Sequence, residues 1–255
     1  MMARWMHHLL NEALRSLGLA RRYWVESLIG LGFIFGLFGG LLFAVLSVSG
    51  QSLGSGEADG LIVGFAIWLF AAGAFGSACK EVQEETEQRT LEQLSLAPRP
   101  LSFTLAVRTV LGMLVGLGLL ALTLMLISLL TDGRVAPLQP QVLGLLLLGA
   151  PALVGASYAL AGVMLLVKRG ELLLVSAQPA VIGLVALPAF PINALALLPY
   201  ALSAAAARAA ATGTPLGSDV WIAVALNSLL YLLAGLAVFI LLNRRARRLG
   251  VLGHY

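Results

Sequence analysis

Charged residues are scarce in this chain. Lys, Arg, Asp and Glu make up 11% of its 255 residues and hydrophobic residues 60%, whereas about a quarter of the residues of a soluble protein are charged. The apolar residues form continuous runs of about 20, the length of a membrane-spanning helix, and they do not alternate at period two as in a β-barrel. The sequence therefore predicts an all-α polytopic membrane protein, with one transmembrane domain over 1–255.

Cysteine and histidine are also nearly absent. A single cysteine, Cys79, excludes an intramolecular disulfide and a cluster of metal-binding thiolates. The three histidines lie outside the apolar runs and form no His-Glu-x-x-His pattern, which argues against a zinc protease or a serine–histidine pair within the bilayer. We expect neither a metal site nor a catalytic residue in this chain.

The chain has no phosphate-binding loop of the form Gly-x-x-x-x-Gly-Lys-[Ser/Thr]. Its two lysines, Lys80 and Lys168, follow no such glycine pattern, so the chain is not expected to hydrolyse ATP by that route. Apart from Glu26 near the start of the first, the apolar runs contain no carboxylate, whereas ion-coupled carriers hold ionisable groups inside the membrane. The formal charge of +4 requires no nucleic acid as a partner.

Six apolar segments are long enough to be read as spans. They are Val25–Ser47, Gly60–Ala78, Phe103–Thr131, Gln141–Val167, Leu172–Leu187 and Val220–Leu242. All the basic residues except Arg134 and Arg208 fall before the first span or around the connections after the second, fourth and sixth. The positive-inside rule therefore predicts that both termini are cytoplasmic.

Two segments flank this pattern. Residues 1–22 have apolar and polar faces at helical spacing and no convincing signal-peptide cleavage site. This pattern predicts an amphipathic helix at the inner leaflet, which either anchors the chain or binds a partner.

The uncharged tract 172–207 is too long for one crossing, yet two crossings would place the C-terminal arginines outside. We therefore predict one crossing followed by an external re-entrant helical hairpin at 188–212, where three prolines interrupt the helix.

The longest polar interval between spans is Lys80–Pro98, within the predicted cytoplasmic element 79–100. Its acidic residues include Glu84, Glu85 and Glu92. Thr90 and Gln93 have the spacing of a capping box that opens a helix. Leu91 and Leu94 share one face of that helix. The pattern predicts a short rigid helical element on the membrane surface, suited to contact with a soluble partner.

Polar side chains in and near the last three spans allow two interpretations. They line a substrate path, or they form hydrogen bonds between helices. The candidates are Tyr158, Gln178, Asn193, Asn227, Ser228 and Tyr231. The Gly-x-x-x-Gly spacings in the first and third spans likewise allow close packing within one chain or between two copies.

Several of these features together resemble the type-2 family of ATP-binding-cassette (ABC) transporter permeases. The resemblance covers nearly the whole chain and rests on EETEQRTLEQLSLAP, on Val167-Lys168-Arg169-Gly170, and on the segments that begin at Asn227-Ser228 and at Ala246. The family often has glycine immediately before Thr-Leu-Glu, and here this residue is Arg89. The replacement affects how sharply the chain is expected to bend before the predicted helical element. The Lys168-Arg169-Gly170 turn is also similar to haem-export permeases of cytochrome c maturation.

The resemblance implies an exporter permease in the cytoplasmic membrane of a prokaryote. Two permease copies, or two homologous permeases, would pair, and each would dock a separate soluble ATPase that binds ATP and magnesium. The coupling residues would be Glu84, Glu85, Thr90, Leu91, Glu92, Gln93 and Leu94. The alternatives are a haem-export or other membrane assembly subunit, and a passive or ion-coupled carrier. No cofactor is expected in the chain itself.

Overall fold

The fold is known from a computed structural model, and every regular element in its described residues is a helix. These residues are 14, 18, 21–22, 24–49, 56–88, 90, 93, 101–130, 139–167 and 170–250. The helices are α1 (Trp24–Ser49), α2 (Gly56–Glu87), α3 (Leu101–Leu130), α4 (Pro140–Met164), α5 (Gly170–Ala186), a 3-10 turn η1 (Ala194–Leu197), α6 (Ala201–Ala211) and α7 (Ser218–Leu249). The predicted N-terminal amphipathic helix lies almost entirely outside these residues.

In the part of the chain that the structure describes, four helices are long and apolar enough to cross a membrane: α2, α3, α4 and α7. The prediction of an all-α membrane protein is therefore confirmed at this level. The first and fifth predicted spans correspond to shorter apolar stretches, Trp24–Gly36 within α1 and Gly170–Ala186 as α5. The count of six crossings and the side on which each loop lies stay predictions.

The helix of the second span extends beyond the predicted end of that span at Ala78. Helix α2 continues to Glu87, because the residues that follow are mostly good helix formers with no glycine or proline among them. A hydrogen bond of 2.8 Å from Gln83 Nε2 to Glu87 Oε1 supports the last turns. The acidic part of the predicted surface element is therefore the end of a long helix and not a separate one.

Helix α4 forms the centre of the bundle, with α2, α5, α6 and α7 around it. It crosses α7 at two glycines, where a Cβ atom on Gly235 would overlap the backbone carbonyl of Gly155, and one on Gly155 would overlap that of Tyr231. One turn further on, the rings of Tyr158 and Phe239 meet edge to face with centroids 5.5 Å apart. The absence of side chains at the crossing allows backbone contact between these helices.

Helix α2 is fixed to the opposite side of α4 by Ser157. The backbone amides of Ala78 and Cys79 donate to Ser157 Oγ at 3.0 and 3.3 Å, and the Cys79 thiol donates to the Ser157 carbonyl at 3.3 Å. All three residues are fully buried. The single cysteine therefore packs inside the bundle.

The segment between α5 and α7 folds into a compact hairpin of η1 and α6. Residues 201–207 of α6 are all buried, and Ser203 Oγ donates to the Leu145 carbonyl of α4 at 2.7 Å, above Gly149. At the end of α6, Arg208 donates to the carbonyls of Val185 and Leu187. The chain thus returns to the end of α5 from which it departed. The external re-entrant hairpin at 188–212 stays a prediction.

The Gly-x-x-x-Gly spacings that the sequence singles out lie elsewhere. A Cβ atom on Gly32, Gly36, Gly112 or Gly116 would meet nothing within 4 Å. Among the described residues these glycines therefore do not mediate helix packing, and the close crossing occurs at Gly155 and Gly235 instead.

Candidate functional site

A cluster of buried charges joins the end of α2 to the beginning of α3. Glu81 and Glu85 are one turn apart on α2, and Arg108 of α3 donates to both carboxylates, at 3.1 and 2.6 Å. Arg108 is 8% exposed and Glu85 4%. At such burial Arg108 and Glu85 each require the other, because removing one leaves a buried charge without compensation.

The same cluster holds the turn that follows α2. The Thr90 backbone amide donates to the Glu85 carbonyl at 3.0 Å, and the Thr90 hydroxyl donates to the Glu85 carboxylate. The backbone amide of Gln88 donates to the Glu84 carbonyl at 2.9 Å and closes the preceding turn. Glu85 therefore contacts α3 and the turn at once, and a displacement of the turn would be transmitted to both helices.

A groove of about 560 Å³ opens beside this cluster, between α2 and α3, with Gln178 of α5 and Ile34 of α1 at its edges. Its floor on α3 includes Gly112 and Gly116, which leave it wide. Ligand sites in proteins typically have volumes of about 300–1,000 Å³. The groove is thus large enough for a small molecule.

The predicted coupling residues separate into three groups. Glu84 is exposed at the end of α2, Gln93 is helical and exposed, and Thr90 is half-buried in the turn. Leu91, Glu92 and Leu94 lie outside the described residues. Glu85 differs from expectation, since its carboxylate is buried against Arg108, and we remove it from the residues offered to a partner.

Two of the candidate path residues lie in the helix bundle. Tyr158 is 1% exposed in the core, beside the Thr109 hydroxyl, although the two hydroxyls do not reach ordinary hydrogen-bond geometry. Gln178 lines the groove. Gln178 therefore has access to a bound molecule in this conformation, whereas Tyr158 packs against its neighbours.

Three of the other path residues hold the hairpin in place, whereas Ser228 Oγ donates to the Ala225 carbonyl within α7 at 3.1 Å. Asn227 Nδ2 donates to the carbonyls of Ala196 and Leu197, both at 3.1 Å, and the Tyr231 hydroxyl donates to Leu197 at 3.0 Å. Asn193 accepts from the Leu195 amide at 2.9 Å and donates to the Pro188 carbonyl at 2.8 Å. These contacts agree with the interpretation that such residues form hydrogen bonds between elements of the fold. Their role in a substrate path stays a prediction.

Replacing Asn227 with leucine is expected to loosen the hairpin. Leucine is similar in size but leaves the Ala196 carbonyl without its side-chain donor and the Leu197 carbonyl with Tyr231 alone, at a cost of about 1–3 kcal/mol. A single cysteine at Leu197, in a Cys79→Ser background, should then react faster with a maleimide than in the parent protein. Tyr231→Phe should have a smaller effect, because Leu197 keeps its bond to Asn227. Equal reaction rates in all three proteins would contradict this anchoring role.

Sequence reasoning missed the pairing of Arg108 with Glu81 and Glu85. The positive-inside count places Arg108 in the basic excess around the connection after the second span, although it lies inside the predicted third span. An arginine within an apolar run requires a partner, and two glutamates at i, i+4 offer one helical face. These two signals together would have predicted the cluster.

No three His, Cys, Asp or Glu side chains come together as candidate metal ligands among the residues with described positions. Burial lowers the pKa of Arg208, and its guanidinium is held by the two carbonyls at the end of α5.

Comparison of the chain with protein-family models, with curated proteins and with solved structures gives no match.

Proposed function

We propose that this chain is the membrane-spanning permease subunit of an ABC exporter, moved by a separate ATPase that docks on the segment after α2. The observation that carries the proposal is the connection from Thr90 through Glu85 to Arg108. An ATPase can move membrane helices only through a segment that is rigidly joined to them. The turn after α2 meets this requirement for two helices at once.

The docking surface would combine exposed charge with the apolar face predicted for the next segment. Glu84 is exposed beside the turn, and Leu91 and Leu94 would fill an apolar notch on the ATPase. Glu84 and Glu92 would steer the partner toward this surface through basic side chains. The lack of a phosphate-binding loop in the sequence supports a separate source of ATP hydrolysis.

The proposal includes six crossings, with both termini in the cytoplasm of a prokaryote and a second permease copy. The charge asymmetry of the sequence supports the orientation. The glycines of α1 leave room for a neighbour, because a Cβ atom on Gly32, Gly36 or Gly40 would meet no described residue within 4 Å. Lipid or a second copy would cover that face.

Leu94→Asp tests the docking surface. The substitution places an unpaired charge in the proposed apolar contact, which costs several kcal/mol, so the ATPase should no longer co-purify and ATP-driven transport should be lost. Glu92→Arg should act more weakly, since a charge at the rim mainly affects association rate. Both assays are made at matched membrane expression.

Leu249→Asp is the matched control for this test. Leu249 is 60% exposed at the end of α7, and the proposal gives it no contact with the ATPase. Its variant should keep co-purification and transport. Parental values for Leu94→Asp in both assays would exclude this segment as the coupling site.

One observation favours a second candidate, an ion-coupled carrier. Two carboxylates, Glu81 and Glu85, lie within a helix that is apolar enough to span a membrane, and buried ionisable groups are common in proton pathways. Transport by the purified chain alone, driven by a proton gradient in liposomes without ATPase or ATP, would support the carrier and contradict the exporter.

A further inference from the structure

Helix α7 has a buried face and an exposed face on opposite sides. The buried residues include Ser228, Gly235 and Phe239, of which the last two meet α4. Among the exposed residues, one set recurs at intervals of three or four, as the members of one stripe on a helix do. This exposed stripe consists of Leu226, Leu230, Leu233, Ala237 and Leu241, and it continues with Arg244 and Arg248.

The apolar part of the stripe is open to its surroundings. Its four leucines, Leu226, Leu230, Leu233 and Leu241, are each 58–65% exposed. Leu230 and Leu241 are separated along α7 by about 16 Å at the rise of an α-helix. This distance is close to half the thickness of a hydrocarbon core of about 30 Å. The stripe is therefore long enough to lie along an acyl chain in one leaflet.

The charged end of the stripe lies in the last two turns of α7. These turns carry exposed positive charges on Arg244, Arg245, Arg247 and Arg248. None of these arginines forms an ion pair in the part of the chain that the structure describes. The one acidic residue of α7, Asp219, lies in its first turn, at the other end of the helix. The charged end of the stripe therefore favours an anion.

Arginine is well suited to a phosphate group, because its planar guanidinium presents paired N–H donors to two oxygens. Arg244 and Arg248 are four residues apart on α7, so their Cβ atoms lie about 5–6 Å from each other on one face. Both side chains can therefore reach one phosphate, with Arg245 beside them. An anionic phospholipid combines such a phosphate with an acyl chain that can extend along the stripe from Leu241.

A second copy of the chain is a poorer match for this stripe. Oligomers of identical chains usually have closed symmetry, and a two-fold interface brings the same surface of both copies together. Two copies in a membrane have the same orientation, so the arginines of one α7 would lie against those of the other. Like charges in contact oppose association. The charge of the stripe thus favours lipid over a second copy.

From these observations we propose that the exposed stripe of α7 binds an anionic phospholipid. The lipid phosphate lies between Arg244 and Arg248, and one acyl chain follows Leu241, Leu233 and Leu230. Arginine near a helix C-terminus also interacts favourably with the helix dipole, which requires no lipid, so dependence on the lipid headgroup separates the two effects. The inference requires that α7 spans a membrane, for which it is long and apolar enough, and it does not depend on the proposed ATPase.

The test uses the purified chain without an ATPase, in nanodiscs of phosphatidylcholine. Two probes are compared at equal mole fraction, phosphatidylglycerol and phosphatidylcholine, each with a photoreactive diazirine at the end of one acyl chain. Labelled peptides are identified by mass spectrometry. The phosphatidylglycerol probe should label α7 between Leu226 and Leu233 at least about fivefold more strongly, since basic residues at a membrane surface attract anionic lipids. Equal labelling by both probes would identify general contact with bilayer lipid and overturn the site.

Arg244→Gln combined with Arg248→Gln tests the phosphate contact. This variant should reduce labelling of α7 by the phosphatidylglycerol probe at least about fivefold, while labelling by the phosphatidylcholine probe stays at the parental level. Arg244→Lys with Arg248→Lys keeps the charge but removes the paired donors, so it should reduce labelling only about two- to threefold. Arg21→Gln with Lys80→Gln is the matched control, because it removes the same charge from exposed positions outside α7. Its labelling of α7 should equal that of the parent.

Three further results would overturn the proposal. Parental labelling by the phosphatidylglycerol probe in the double glutamine variant would show that these arginines do not hold the lipid. Suppression of labelling by soluble glycerol phosphate would assign the charged end to a free phosphate. A disulfide-linked dimer of Leu233→Cys in a Cys79→Ser background, formed in membranes by mild oxidation, would show that a second copy covers the stripe. Because no ATPase is present, loss of lipid binding here and loss of coupling in Leu94→Asp are separate results.

Discussion

Gly155→Leu is expected to leave little folded protein. A side chain at this position would overlap the backbone of α7 at Tyr231 and Leu232, and not a flexible side chain that can move aside. Overpacking of a core typically costs about 1–3 kcal/mol and sometimes more, and this overlap forces apart the two helices that make the most extensive contact in the bundle. The yield of monodisperse protein after size-exclusion chromatography measures the effect.

The control for Gly155→Leu is a glycine on the open face of α3. A Cβ atom on Gly118 would meet nothing within 4 Å, and Gly118→Leu should give the parental yield. Gly235→Leu should fail like Gly155→Leu, because the two glycines face each other across the same crossing. A parental yield and thermal stability for Gly155→Leu would show that α4 and α7 do not cross at these residues.

Residue spacing alone could not have identified this crossing. Gly112 and Gly116 have the motif that brings helices together, yet a Cβ atom on either would meet nothing within 4 Å. Gly155 and Gly235 are far apart in the sequence and neither belongs to a pair of that spacing within its own helix. Their role depends on which helices become neighbours, and that is determined by tertiary packing.

The all-helical fold class could be predicted from the sequence because it depends on local properties. An apolar run of about 20 residues must satisfy its backbone internally in a membrane, and a helix does so. The ends of helices were harder to predict, since a helix continues beyond the apolar part where its residues permit it. Thus α2 extends to Glu87 and α7 to Leu249, beyond the predicted ends at Ala78 and Leu242.

The positions of the acidic side chains after the second span could not be read from the sequence. Sequence proximity does not separate Glu84, which is exposed, from Glu85, which is buried against Arg108. Adjacent residues on a helix point in directions about 100° apart, so one faces solvent while its neighbour faces α3. The groove beside them depends on the distance between α2 and α3, which no sequence pattern reports.

Arg108→Leu is expected to destabilise the protein by about 3–5 kcal/mol, the cost of leaving a buried charge without its partner. Two carboxylates, Glu81 and Glu85, would remain at the junction of α2 and α3 with their cation removed. The free energy of unfolding in mixed micelles, measured by denaturing-detergent titration, gives the magnitude. Because Thr90 is held by Glu85, the turn after α2 should also become more accessible to protease.

A triple substitution separates the charge effect from the loss of packing. Arg108→Leu combined with Glu81→Gln and Glu85→Gln removes both carboxylate charges together with the cation, so it should recover a large part of the lost stability. If the single variant were instead as stable as the parent, the cluster would contribute nothing to holding α3 against α2. In that case the connection from Thr90 to α3 could not transmit a displacement, and the mechanical argument for coupling at this turn would fail with it.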